Sequence, residues 1–189
     1  MIKSELKKLN TYTLISLARD GNSNALEELI LRIQKDIFVM FSYLTSKRED
    51  IADLTQETLL KMAKNIKHLK HIAKFRQWIN RIGLNVFYDF LKKNHNDKNI
   101  ERDINKILEI KDKIGCEPGE KCLFSEMEKI IKAALLSLPE KLRIVIILRE
   151  YEGLSYNDIS EITQTNIGTV KSRIARARIR LQEELKEFI

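Results

Sequence analysis

The sequence predicts an all-α protein: two small helical domains joined by a flexible linker, the C-terminal one a helix-turn-helix. Three observations carry this expectation. The chain has 189 residues, 43% of them hydrophobic, with only 6 Gly and 2 Pro, a composition that favours a helical globular protein over a β-rich or disordered one. Apolar residues recur at helical spacing towards both ends, with a weakly patterned stretch between them. Near the C-terminus, Ile159 and Ile162, then Ile167, Val170 and Ile174, do not share one helical phase, so a turn belongs between Ile162 and Ile167. A chain of this length suits one domain or two small ones, and each half can bury its own core.

The formal net charge of +7 suits a polyanion, either nucleic acid or an anionic membrane. No apolar run approaches membrane-spanning length. The opening from Met1 to Lys8 is polar and lacks a signal-peptide core, so a cytoplasmic protein without membrane insertion is expected. The 2 cysteines, Cys116 and Cys122, and the 3 histidines, His68, His71 and His95, cannot supply four metal ligands at usual spacing. No metal and no cofactor are expected. The cysteines read as free thiols, with a redox pair as the alternative.

Taken in order, the first helices fall between Thr13 and Tyr43. Leu14, Leu17 and Ala18 mark one; Ala25, Leu26, Leu29, Ile30, Ile33, Ile37 and Met40 mark the next. Gly21 between them can take the left-handed conformation that closes a helix, and Asn22 or Ser23 can cap its successor. From Glu49 to Lys64, an inner stripe of Ile51, Leu54, Thr58, Leu59 and Met62 leaves Asp53, Gln56, Glu57 and Leu60 on another side. That side is either a docking face for a basic protein or a set of acids favourable in a helix's first turn.

From Thr58 to Tyr88 there is no Asp or Glu, while Lys61, Lys64, Lys67, Lys70, Lys74, Arg76 and Arg81 are interleaved with Phe75, Trp78, Phe87 and Tyr88. Cations with aromatics suit single-stranded nucleic acid. Phe75, Trp78, Ile79, Ile82, Val86 and Phe90 fit one helical face and so read as core. Arg76, Asn80, Arg81, Asn85 and Tyr88 are then the candidates for the wet face. Lys67 to Lys74 reads as a loop and helix start.

Between His95 and Met127 acids outnumber bases, and Gly115, Pro118 and Gly119 appear. This reads as a linker with a marginal helix over Ile100 to Ile110. The last domain starts near Ser125. Met127, Ile130, Ile131, Ala134, Leu135 and Leu138 form one helix, and Pro139 fits the first turn of the next, which runs through Leu142, Val145, Ile146 and Leu148. Gly153 suits a left-handed cap, and Ser155 with Asp158 reads as a capping box. Thr165 or Asn166 can cap the final helix. Lys171, Arg173, Arg176, Arg178 and Arg180 follow with no acid among them, either as the major-groove helix of a helix-turn-helix or as a basic solvated helix on a core.

The runs Leu138 to Arg143 (LPEKLR), Glu152 to Tyr156 (EGLSY) and Ile167 to Arg178 (IGTVKSRIARAR) resemble region four of bacterial RNA polymerase sigma factors of the extracytoplasmic-function (ECF) class. Asp53 to Glu57 (DLTQE) and Phe75 to Ile82 (FRQWINRI), with Asn85, resemble region two of the same class. The resemblance implies a region-two domain over 1–94, a linker over 95–124 that threads near the polymerase cleft, and a region-four domain over 125–189. It implies that Asp53, Gln56, Glu57 and Leu60 dock on core RNA polymerase. Leu69, Lys70, His71, Lys74, Arg76, Arg81 and Asn85 would capture the non-template strand of the −10 promoter element. Thr165, Asn166, Thr169, Lys171, Ser172, Arg173, Arg176 and Arg178 would meet the −35 duplex. An anti-sigma factor is the implied regulator, and the polymerase supplies all catalysis. Two departures stand out. Leu69 and His71 occupy the −10 loop where many relatives carry an aromatic and a glycine, and Gln164 stands where the turn often has Gly. A dimeric helix-turn-helix regulator would explain the C-terminal half but leave the acid-free stretch and the Asp53–Glu57 face without a task. No paired carboxylates, Cys–His arrangement or Gly-rich phosphate loop supports an enzyme.

Overall fold

A computed structural model of the chain describes residues 3–95, 126–186 and 188. Cys116, Cys122, the expected helix over Ile100 to Ile110 and nearly all of the expected linker lie outside these residues. Two compact units divide the described residues: 3–41 with 47–90, and 42–46 with 91–95, 126–186 and 188.

The first unit is built from α1 (Lys3–Leu6), α2 (Thr11–Arg19), α3 (Ser23–Leu44) as far as Phe41, α4 (Arg48–Asn65) and α5 (Phe75–His95) as far as Phe90. Side-chain caps start the early helices. Asn10 Oδ1 accepts the Thr13 N–H at 2.8 Å, and Asn22 Oδ1 accepts the Ala25 N–H at 3.0 Å, so Asn22 rather than Ser23 caps α3. Gly21 closes α2 with φ +94°. Leu6, Leu14 and Ala25 form a buried cluster with Leu9 and Leu17 against it. Arg32 pins the chain start to α3: its guanidinium donates to the carbonyls of Leu9 at 2.7 Å, Lys7 at 2.9 Å and Leu6 at 3.2 Å. Glu28 orients it from one helical turn earlier at 3.0 Å.

In α4, the expected stripe points inward: Ile51, Leu54, Thr58 and Met62 are buried and Leu59 is half-buried. Thr58 carries a buried Oγ1 without a hydrogen-bond partner. In α5, Phe75, Ile79 and Val86 are buried, with Trp78, Ile82 and Phe90 half-buried. The wet face needs correction. Asn80 is 4% exposed, because α5 buries a second line of Asn80, Gly83, Leu84 and Phe87 beside the first. Tyr88 is half-buried, while Arg76, Arg81 and Asn85 stay exposed. Gly83 permits this tight crossing: a Cβ there would lie 3.0 Å from Met40 Cε and 3.5 Å from Phe41 Cζ.

The second unit contains α6 (Glu126–Ser137), α7 (Glu140–Ile146) continued by a π turn (Ile147–Tyr151), α8 (Tyr156–Thr163) and α9 (Ile167–Leu185). Pro139 precedes α7 rather than opening it: its ψ of 136° is extended, and its carbonyl accepts the N–H groups of Leu142 at 2.8 Å and Arg143 at 3.0 Å. Arg143 Nη1 donates to the Leu136 carbonyl near the end of α6 at 3.0 Å. Burial lowers the pKa of this guanidinium and the Glu140 charge opposes the shift. Gly153 takes φ +67° as expected. Ser155 and Asp158 form the capping box, with the Asp158 N–H bonded to Ser155 Oγ at 3.1 Å. Gln164 occupies the left-handed region at φ +53°. Asn166, not Thr165, caps α9 through the Thr169 N–H at 2.7 Å. Val170, Ile174 and Ala177 bury one side of α9, which packs on α6, α7 and α8.

Candidate nucleic-acid interface

Packing decides what α9 offers to solvent. With Val170, Ile174 and Ala177 turned inward, Asn166, Lys171, Ser172, Arg176, Arg178 and Arg180 are exposed, and Thr165, Thr169 and Arg173 are half-buried. Ser172 Oγ donates to the Thr169 carbonyl at 3.0 Å and Arg176 Nε to the Ser172 carbonyl at 3.2 Å, so both side chains lie along the helix surface. Two of the expected contacts also serve the fold. The Thr165 and Thr163 hydroxyls are 2.9 Å apart. Arg178 donates through Nη2 at 2.6 Å and Nε at 3.1 Å to Glu150 Oε1. Hydrogen bonding to Glu150, then its charge, raises the Arg178 pKa. Sequence reading did not anticipate Glu150, which lies 28 positions from Arg178 and meets it only through packing. It also missed exposed Ile167 and Ile179 on the same helix, since inward and outward isoleucines look alike in a pattern.

The acid-free stretch forms a second cationic surface. Two 3₁₀ turns, Ile66–His68 and Ile72–Lys74, flank an extended bend in which Leu69 has ψ 109° and His71 has ψ 111°. Helix α2 packs against both turns, and Ile66 and Leu69 are buried. Lys67, His68, Lys70, His71 and Lys74 are left exposed around this apolar base. Leu69, 5% exposed, therefore supports the bend from within. Among the described residues no group of His, Cys, Asp and Glu could hold a metal ion.

On α4, Asp53, Gln56, Glu57 and Leu60 are all exposed, in a spacing that places them on one helical face. Leu60 shows 53% of its surface to solvent, and Lys61 Nζ sits 2.9 Å from Glu57 and 3.8 Å from Asp89. An exposed pair of this kind contributes ~0–1 kcal/mol, so Glu57 can exchange partners readily.

Two family models match the chain: Sigma-70 region 2 over residues 29–96 and Sigma-70, region 4 over residues 128–181. The chain is 31% identical over 189 residues to the ECF RNA polymerase sigma-E factor of Haemophilus influenzae, covering 97% of this chain and 99% of that one. The chain belongs to the ECF RNA polymerase sigma factors. This sigma factor is also 28% identical over 184 residues to the RNA polymerase sigma-H factor of Pseudomonas aeruginosa, covering 93% and 94% of the two chains. Among solved structures it is similar to the sigma factor RpoE of Bartonella quintana, which was crystallised with the anti-sigma factor NepR. That match has 29% identity and a TM-score of 0.65, and covers 85% of this chain and 96% of that one. The region 2 match takes in α4, the bend and α5; the region 4 match takes in α7, α8 and the cationic part of α9.

Proposed function

We propose that this sigma factor divides its task between a region-two domain over 1–94, a linker over 95–124 and a region-four domain over 125–189. The first domain docks core RNA polymerase through Asp53, Gln56, Glu57 and Leu60. It then holds the unpaired −10 strand on Lys70, His71, Lys74, Arg76, Arg81 and Asn85, with Leu69 shaping the bend from beneath. Capturing extruded bases offsets an unstacking cost of about a few kcal/mol each. The second domain lays α9 in the −35 major groove. There cations such as Lys171 and Arg180 contact phosphates, and Lys171, Arg173 or Arg176 can reach guanine edges. Thr169 and Ser172 complete that face. Thr165 and Asn166 set the start of α9, and the Asn166 cap leaves other first-turn N–H groups for a phosphate.

The observation that supports this reading most is the presence in one chain of two surfaces of opposite character. The exposed acidic, amide and apolar face of α4 and the exposed cations of α9 cannot both serve DNA. The chain supplies positioning and charge, while the polymerase supplies nucleotide chemistry and Mg²⁺; the sigma factor itself is not an enzyme. The proposed place of work is the cytoplasm, beside the polymerase; among the described residues no helix is long and apolar enough to cross a membrane. An anti-sigma factor is the proposed regulator, supported by the Bartonella quintana sigma factor's complex with one.

Run-off transcription with purified core polymerase on random promoter fragments tests the proposal. Specific initiation that depends on the added protein is expected, and it would reveal both promoter elements. No initiation, together with tight binding of the free protein to a duplex palindrome, would instead mark a dimeric regulator.

A further inference from the structure

Arg178 differs from its neighbours on α9 in being held by a carboxylate from another element. Glu150 stands in the π turn Ile147–Tyr151, and its Oε1 accepts both Nη2 at 2.6 Å and Nε at 3.1 Å. The wall carrying Glu150 is itself fixed. Neighbouring Arg149 donates to the Leu154 carbonyl at 2.8 Å, and its guanidinium lies 5.0 Å over the Tyr156 ring. These contacts hold the backbone beside Glu150, so its carboxylate meets Arg178 from a separately anchored element. Both partners remain about half exposed, at 54% and 53%, and exposed pairs contribute little to stability. The pair is therefore better suited to competition with another anion than to bracing a core.

A carboxylate engaging a guanidinium through two N–H groups occupies the same donors that a phosphate would take. We propose that Glu150 is an internal phosphate mimic that withholds Arg178 from the DNA backbone. Phosphate contacts carry no sequence information and dominate non-specific binding. Removing one from α9 lowers affinity for any duplex while leaving Lys171, Arg173 and Arg176 to read bases. Because the loss is the same for every sequence, the sequence preference of α9 is unchanged, and the outcome is a free sigma factor less retained on non-specific DNA. This inference rests on α9 being the duplex-reading helix.

The test uses the full-length sigma factor and a labelled duplex of arbitrary sequence, with affinity measured by anisotropy between about 50 and 200 mM salt. Glu150→Gln should steepen the slope of log affinity against log salt by about 0.9, the value for one added phosphate contact. That step corresponds to roughly a 3-fold larger loss across the same salt range. Glu150→Ala should behave alike. Arg178→Ala alone should change little, yet in the Glu150→Gln background it should abolish the gain. An unchanged slope in both Glu150 variants overturns the proposal. So does a full one-phosphate loss from Arg178→Ala with Glu150 in place. Lowered unfolding midpoints with weakened DNA binding in both Glu150 variants would make the pair a structural brace, which also overturns it. Arg173→Ala with Arg176→Ala separates the two levels of inference: if affinity and sequence preference on promoter fragments with core polymerase present are both unchanged, the assignment of α9 to duplex DNA has failed.

Discussion

Gln164 shows how one residue can record a compromise. The turn between α8 and α9 needs a left-handed residue, and Gln164 supplies it at φ +53°. A side chain there costs roughly 1–2 kcal/mol in backbone sterics, which Gly avoids at the expense of greater freedom in the unfolded chain. Gln164→Gly should raise the unfolding free energy by about 1 kcal/mol, read as a shifted urea midpoint at constant slope. Arg32 is the opposite case, a side chain whose fork geometry is fully used by three carbonyls and Glu28. Arg32→Ala should cost about 1–3 kcal/mol and speed amide exchange near Leu9. Arg32→Lys should not rescue it, because an ammonium cannot span the same acceptors. At the proposed DNA face, Arg173→Ala should relax upstream-element preference by about 1–3 kcal/mol in competition binding with polymerase present. Unchanged preference would remove Arg173 from the readers.

Between elements, close approach and exposed faces matter more than single bonds. Helix α5 crosses α3 at Gly83, where an added Cβ meets Met40 Cε at 3.0 Å. Alanine gains helix propensity of about 1 kcal/mol over glycine and needs only the flexible end of Met40 to give way, so Gly83→Ala should be near neutral. Gly83→Leu has no room to enter and should destabilise by about 1–3 kcal/mol in thermal unfolding. The α4 face makes the reverse prediction. Asp53 and Glu57 are exposed, so Asp53→Lys with Glu57→Lys should leave the unfolding midpoint nearly unchanged while abolishing co-elution with core polymerase. Retained binding would move the docking face elsewhere.

At the level of the molecule, the two proposed DNA contacts on one chain gain effective concentration once the polymerase fixes their separation. The full-length protein alone should therefore bind promoter DNA weakly, and adding core polymerase should tighten it greatly. Gel-shift titrations with and without core would show tight binding without polymerase if this is wrong. The proposed mechanism makes no use of Cys116 or Cys122. Cys116→Ser with Cys122→Ser should leave run-off transcription unchanged, whereas a lost response to oxidant would establish a redox role.

The sequence by itself determined the helical class, the break between α8 and α9, the closures at Gly21 and Gly153 and the capping box at Ser155. These depend on local periodicity and on residues such as Gly21, Gly153 and Ser155, whose conformational roles are intrinsic. It also supplied the motifs by which the ECF family could be recognised. Packing alone chose between equivalents: Asn22 over Ser23, Asn166 over Thr165, and burial rather than exposure for Asn80. A helical period places a residue within an arc, but the width of the buried arc depends on how many neighbours press against it. Tertiary structure alone also joined Glu150 to Arg178 and placed Leu69 beneath its bend. Such meetings between distant segments follow from the way helices cross, and no local spacing encodes them.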